Sequence, residues 1–211
     1  MNTLGKVSIL FTFCFIFVVV VFCGINDKTQ ALTDDATLTT TVLEYLTFSL
    51  TTGDTVAFGD LTPGTPIAAP AAGTIASVTT NAANGYTVAV HDGEAGSNSS
   101  MTHTDTTTKI TDVTSGTIAV PAVWGTSTGV GITLFAADTS KDSKWGTGTT
   151  YNDANNNYAA IPQTATVAHT VTGFHADADT SSWAFKIDAP NTQKTGAYSG
   201  TVTFTATAVL T

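Results

Sequence analysis

The sequence predicts an all-β fold, an antiparallel Ig-like or jelly-roll β-sandwich preceded by a signal peptide, on three observations. First, residues 196–211, GAYSGTVTFTATAVLT, place Tyr198, Val202, Phe204, Ala206, Ala208 and Leu210 on one parity and Ser199, Thr201, Thr203, Thr205 and Thr207 on the other. A strict period of two marks a half-buried strand, and such a strand needs a sheet already in place to cover its apolar side. Second, threonine dominates the composition, 45 of 211 residues, and its β-branched side chain suits a pleated surface. Third, alternating runs are punctuated by Gly, Pro, Asn and Asp, with no internal repeat, which argues against a solenoid or propeller. The sequence stops at Thr211 inside its last strand, so that strand is expected to close the fold with no tail behind it.

Residues 1–31 read as a secretory signal. Lys6 precedes an apolar run over residues 7–23, and a polar stretch follows, ending in Thr29-Gln30-Ala31, a small-residue cleavage site. The mature chain is expected to begin near Leu32. A run of about 17 apolar residues is at the lower edge of what spans a bilayer, so an uncleaved anchor is the competing reading. Both cysteines, Cys14 and Cys23, fall in the leader. The exported portion, about 180 residues, must then stand on its core without disulfides, as one domain over residues 32–211.

Five lysines, no arginine and fifteen acidic residues follow Ala31, a net charge of −10. Nucleic acid and anionic membrane surfaces are poor partners for that charge. Lysine is also a usual guard of sheet edges, and its scarcity leaves edges suited to association.

Residues 32–50 open the mature chain with Leu38, Val42, Leu46, Phe48 and Leu50 on one parity, so one long strand, or two with a bend at Glu44, is expected there. Glu44 could be the acid of a Lys-Asn isopeptide bond, but a lone carboxylate in such a run more often marks a bulge. Lys186, on the outward parity of its own strand, weakens the isopeptide reading further. Pro63-Gly64 is a turn, and residues 67–72, with Pro70 inside and Pro66 just before, read as a connection excluded from a central strand. Asn84-Gly85 between alternating runs predicts a hairpin. Residues 91–108 read as an exposed loop, 110–123 as a weak strand pair, 129–135 as a strand and 136–158 as a long loop. Residues 161–171 read as a strand, Asp177 to Thr180 as a turn, and Trp183, Phe185 and Ile187 as core residues of the strand that follows. The long loop admits two readings: a ligand rim with Trp145, Tyr151 and Tyr158 as sugar-stacking platforms, or an insertion packed by its own aromatics.

No catalytic constellation emerges, and an enzyme is not expected. His91, His103, His169 and His175 lack metal-ligand spacing, and the Asp and Asn clusters lack the calcium-loop pattern. No Gly-x-Ser-x-Gly elbow occurs and no carboxylate pair stands out. No cofactor or metal is expected. Asn98-Ser99-Ser100 matches the glycan acceptor pattern.

The stretch Phe58-Gly59-Asp60-Leu61-Thr62-Pro63-Gly64, the run Asn84-Gly85-Tyr86-Thr87-Val88 and residues 196–204 resemble secreted prokaryotic Thr-rich β-sandwich surface proteins. The nearest in layout are TasA/camelysin-like and archaeal bundling-pilus-like filament subunits. WxL-like domains are more distant, with Trp183-Ala184-Phe185 and Phe204 standing where Trp-x-Leu pairs would. The resemblance implies an extracellular filament, pilus or surface-layer subunit in which the N-terminal segment of one copy completes the sheet of the next. Here that segment is residues 32–42, with Leu32, Ala36, Leu38, Thr40 and Val42 at the subunit interface, and the partner is the protein itself. The alternative is a monomeric secreted adhesin or carbohydrate-binding module that takes surface glycans on its loops.

Overall fold

The computed structural model describes residues 33–93, 99–139 and 141–210. The signal segment, Leu32 and the asparagine of the glycan pattern lie outside the described residues. Contacts divide the chain between residues 42 and 43, and the sandwich is the unit Leu43–Thr211. Its strands are β1 Leu46–Thr52, β2 Ile67–Thr80, β3 Tyr86–Asp92, β4 Ser99–His103, β5 Lys109–Thr111, β6 Ala122–Val123, β7 Gly129–Ala137, β8 Asn157–Tyr158, β9 Thr166–Val171, β10 His175–Asp188, β11 Tyr198–Ser199 and β12 Val202–Ala208. One 3-10 turn, Ser143–Trp145, interrupts them. Among the described residues no helix is long and apolar enough to cross a membrane.

The expected all-β antiparallel architecture is what the chain adopts. One sheet has the order β1-β2-β10-β7 and faces a second, β12-β3-β9; a third, β11-β4-β5, and the pair β6-β8 complete the fold. The alternation seen in the sequence puts Ala76 and Val78 of β2, Trp183, Phe185 and Ile187 of β10, and Ile132 and Leu134 of β7 on one side of a single core. Tyr86, Val88 and Val90 of β3, Ala168 and Val171 of β9, and Phe204 of β12 lie on the other. Edge-on aromatic contacts cross this core from Trp145 to Trp183 and from Trp183 to Phe204, each at 5.7 Å between ring centroids.

β7 is buried on both faces, which explains its nearly unbroken apolar run. On its outer face Val113, Trp124 and Tyr158 form a second small cluster. A β-carbon at Gly131 would stand 3.1 Å from Val113 and 3.2 Å from Trp124, so glycine lets that layer close. Lys186 lies on the same outer side, its ammonium 5.3 Å from the rings of both Trp124 and Tyr158. Burial there holds its pKa below the ordinary lysine value.

Five local expectations are corrected. Residues 67–69 do belong to an interior strand, pairing with β10 from Ile67↔Ile187 to Ala69↔Phe185. The register then jumps to Thr74↔Trp183, so four residues including Pro70 bulge out opposite Ala184, and proline's missing donor is not needed by the ladder. Asn84-Gly85 is a corner between sheets, because β3 pairs with β12 and β9 and not with β2. Residues 99–103 are a strand within the expected loop, pairing with β5 and β11. The two strands within residues 110–123 pair with β4 and β8 and not with each other. Asp177 to Thr180 are not a turn but part of β10, which carries a register irregularity between His175 and Asp179.

Trp145, in the long loop after β7, is fully buried and its indole N–H donates to the Ala168 carbonyl at 3.2 Å. Trp145→Ala is expected to cost about 3–5 kcal/mol, read as a lowered midpoint in urea unfolding; a loss under about 1 kcal/mol would show that the loop does not close the core.

Candidate functional site

A sandwich has two pairs of sheet edges, and here they are treated differently. On one side the edge of β7 is covered: Ile132 and Ala159 exchange backbone hydrogen bonds at 2.9 Å each way, and Val113 N–H donates to Val130 at 2.9 Å. On the same side Trp145 caps a carbonyl of β9. On the other side β1 and β12 approach each other, and β1 pairs with β2 while β12 pairs with β3. Neither carries a second strand among the described residues.

The sequences at that seam, LTFSLTT and VTFTATA, contain no charge and no proline. Their outward residues, Thr47, Ser49, Thr51, Thr203, Thr205 and Thr207, are exposed, while inward Leu46, Phe48, Leu50, Val202 and Ala206 are half-buried against the core. Unpaired main-chain groups beside incompletely covered apolar side chains, without lysine or proline guards, form a template for another strand.

Beyond the end of β1 the seam widens. Gly53, at φ +67, turns the chain away from the sheet where a β-carbon would stand 2.6 Å from the Gly73 carbonyl oxygen. Reciprocal bonds fix this corner: Thr52 Oγ1 donates to Gly73 at 3.2 Å and Thr74 Oγ1 to Gly53 at 2.8 Å. A cavity of about 300 Å³ opens beside it, lined by Leu50, Val56, Phe58, Phe185, Val202 and Phe204. A second, of about 600 Å³, continues along Phe58, Leu61, Met101, Ile110, Ile187 and Tyr198. Val56, Phe58, Met101 and Tyr198 line both.

The far wall is tightly tied. Gln193 Nε2 donates to the Lys109 carbonyl at 3.1 Å and to the Tyr198 hydroxyl at 2.8 Å, and that hydroxyl donates to the Lys194 carbonyl at 2.7 Å. Lys194 pairs with Asp105 at 2.8 Å. This ammonium, together with N–H and O–H donors from Thr108, holds the Asp105 carboxyl well below the usual carboxylate range.

Of the expected interface segment, Ala36, Leu38, Thr40 and Val42 are exposed and residues 33–45 form no strand, so of the strand, or two with a bend at Glu44, expected over residues 32–50, only the part from Leu46 forms. Leu38 is 93% and Val42 80% exposed. The strand stops short because β2 ends at Thr80. Past that point the Asn81 side chain takes the place of a strand partner, accepting from Tyr45 N–H at 2.7 Å and donating to the Leu43 carbonyl at 2.8 Å. The three aromatics of the expected rim do not share a surface: Trp145 and Tyr158 are buried in different clusters and Tyr151 is half-exposed. Trp145 packs into the main core against Trp183 and Tyr158 into the small cluster with Val113 and Trp124, so neither offers an exposed ring for stacking.

A buried polar cluster missed in the sequence lies between β3, β9 and β10. Asp179 and His169 are both buried, and among the described residues neither imidazole nitrogen of His169 has a hydrogen-bond partner. Burial, and then the Asp179 carboxylate, pushes the Tyr86 phenol far above its ordinary value. Burial lowers the His169 pKa, with Asp179 and Asp142 opposing and Lys144 adding to the shift. The alternating stretch TVAHTV places His169 where a core residue belongs, but nothing local indicates its neighbours.

No family model matches the chain, and neither the curated proteins nor the solved structures contain a match. The fold and the seam therefore define this chain as an all-β sandwich with one unguarded side.

The lowered His169 pKa fixes a sign. The unfolded chain takes up a proton below about pH 6.5 that the native state resists, so stability falls as pH drops through that value, by up to about 1.4 kcal/mol per pH unit. Urea unfolding between pH 7.5 and 5 should show this slope in the wild type and a shallower one in His169→Gln; parallel slopes would contradict it.

Proposed function

We propose that this chain is an extracellular structural subunit that polymerises with copies of itself by β-strand complementation, as the filament subunits it resembles do. The observation that carries the reading is the seam between β1 and β12: two uncharged edges, half-buried apolar inner faces, and cavities continuing the gap. The complement is the segment before β1. Leu38 and Val42 are almost fully exposed and share a parity, and Thr40 between them is small enough to sit over a closely packed face. An added strand gains main-chain hydrogen bonds along the seam and buries alternate side chains in the core. A segment of one copy seated on a different surface of the next is a head-to-tail contact, which extends into a fibre unless its rotation closes a ring.

The secretory pattern of residues 1–31 supports export, and the scarcity of lysine at the edges suits a protein that functions assembled. The acidic surface keeps subunits soluble before assembly. Trp145 and Tyr158, the stacking platforms of the adhesin alternative, are buried.

The direct test is negative-stain electron microscopy of chains starting at Leu32 and at Leu43. Filaments from the first and not the second are expected; dispersed particles from both, with equal thermal stability, would contradict the reading. Burying a leucine or valine side chain contributes about 1.5–3 kcal/mol. Leu38→Ala with Val42→Ala should therefore raise the critical concentration for assembly about 100-fold or more, measured by pelleting, while leaving the unfolding midpoint of the monomer unchanged.

A further inference from the structure

Residues 54–61 cross the widened end of the seam, and what holds them there differs from what holds the walls. They make no hydrogen bond with any described residue, whereas the segments on either side are tied at Gly53, Gly64 and Tyr198. Their attachment is apolar: Val56, Phe58 and Leu61 are half-buried against the core, while Asp54, Thr55, Ala57, Gly59 and Asp60 are exposed. A segment whose backbone makes no hydrogen bond to the described residues around it opens at small cost, well below that of unfolding those sheets.

We propose that residues 54–61 are a displaceable plug, seated in the groove that receives residues 33–42 of a second copy. The inference rests on the polymerisation reading and assigns the receiving surface and its resting state. Val56 and Phe58 belong to both cavities, so lifting the plug joins them into one trough floored by Phe185 and Ile187 and walled by Met101, Tyr198 and Phe204. Ten extended residues span about 33 Å and the eight of the plug about 26 Å, so the incoming segment covers the plug's length. The plug's backbone pairs with no described residue, whereas an incoming strand pairs with the seam, and that difference drives the exchange.

The occupant is a second copy because of the Asn81 clasp. To lie along its own β1 the chain would have to reverse just before Leu46. Residues 43–45 are instead held as a straight continuation of β1, by both groups of the Asn81 amide and by Thr80 Oγ1, which donates to the Tyr45 carbonyl at 2.9 Å. A reversal there breaks all three bonds.

The test uses the intact chain, kept below its assembly concentration, and a dye-labelled peptide of residues 33–42, TDDATLTTTV. Phe58→Ser removes the largest anchor of the plug. Gly59→Ala loosens it without touching the groove: Gly59 sits at φ +73 and a β-carbon there meets nothing within 4 Å. The strain of a non-glycine residue at that φ corresponds to about a fivefold to thirtyfold change. Fluorescence anisotropy should show Gly59→Ala binding the peptide about fivefold tighter than wild type and Phe58→Ser at least tenfold tighter. In the wild type, peptide should speed chymotrypsin cleavage after Phe58 or Leu61. Equal or weaker binding by the variants, or no faster cleavage in the peptide complex, overturns the plug. If Phe58→Ser fails to fold by circular dichroism, Gly59→Ala decides alone. If no chain binds the peptide but concentrated wild type still forms filaments, the plug is overturned and the polymerisation reading stands. If concentrated wild type stays monomeric as well, both fall.

Discussion

Closing a β-sandwich requires something to cover each edge where the two sheets meet, and the structure is arranged around one edge pair that no strand covers among the described residues. On the β7 and β9 side, the small cluster of Val113, Trp124 and Tyr158 and the indole of Trp145 supply it, drawn from the long segments between β5 and β9. On the β1 and β12 side the strands end their sheets with threonine and serine outward and half-covered leucine, phenylalanine and valine inward. Unpaired, uncharged edges are a hazard unless the pairing they invite is the function.

That asymmetry organises the rest. The covered side carries the buried tryptophans, Trp145 and Trp183, in edge contact across the core, and the polar cluster of Tyr86, His169 and Asp179 lies on the strands around them. The open side is bounded by hydrogen-bonded frames, the Gly53–Gly73 corner and the network of Gln193, Lys194 and Tyr198, with a loosely held segment between them. Rigid walls around a weakly attached filling suit a groove that must change occupant without the fold giving way.

How much of this could be read from the sequence depends on the range of the forces involved. β12 and the second half of β10 were legible because their alternation is set by the local choice between core and solvent, and β7 because burial on both faces makes a continuous apolar run. Pro70 was misread because a four-residue bulge is visible only once Thr74 and Ala69 are seen flanking Ala184. Asn84-Gly85 was misread because the same turn chemistry serves a hairpin and a corner, and the choice rests on strands distant in sequence. At the seam, the lack of lysine was a legible sign of unguarded edges. The attachment of residues 54–61 was not, since hydrogen bonds that are not made leave no pattern, and His169 and Asp179 meet only through packing.

Polymerisation by strand complementation requires that the main chain of β1 and β12 gain a partner when copies meet. Amide hydrogen exchange, followed by mass spectrometry on dilute and concentrated protein, measures this directly. Protection should rise together in residues 33–42, β1 and β12 as concentration increases, with β3 and β10 unchanged. Unaltered exchange along β1 and β12 in an assembled sample, or protection gained on β6 or β9 instead, would contradict it.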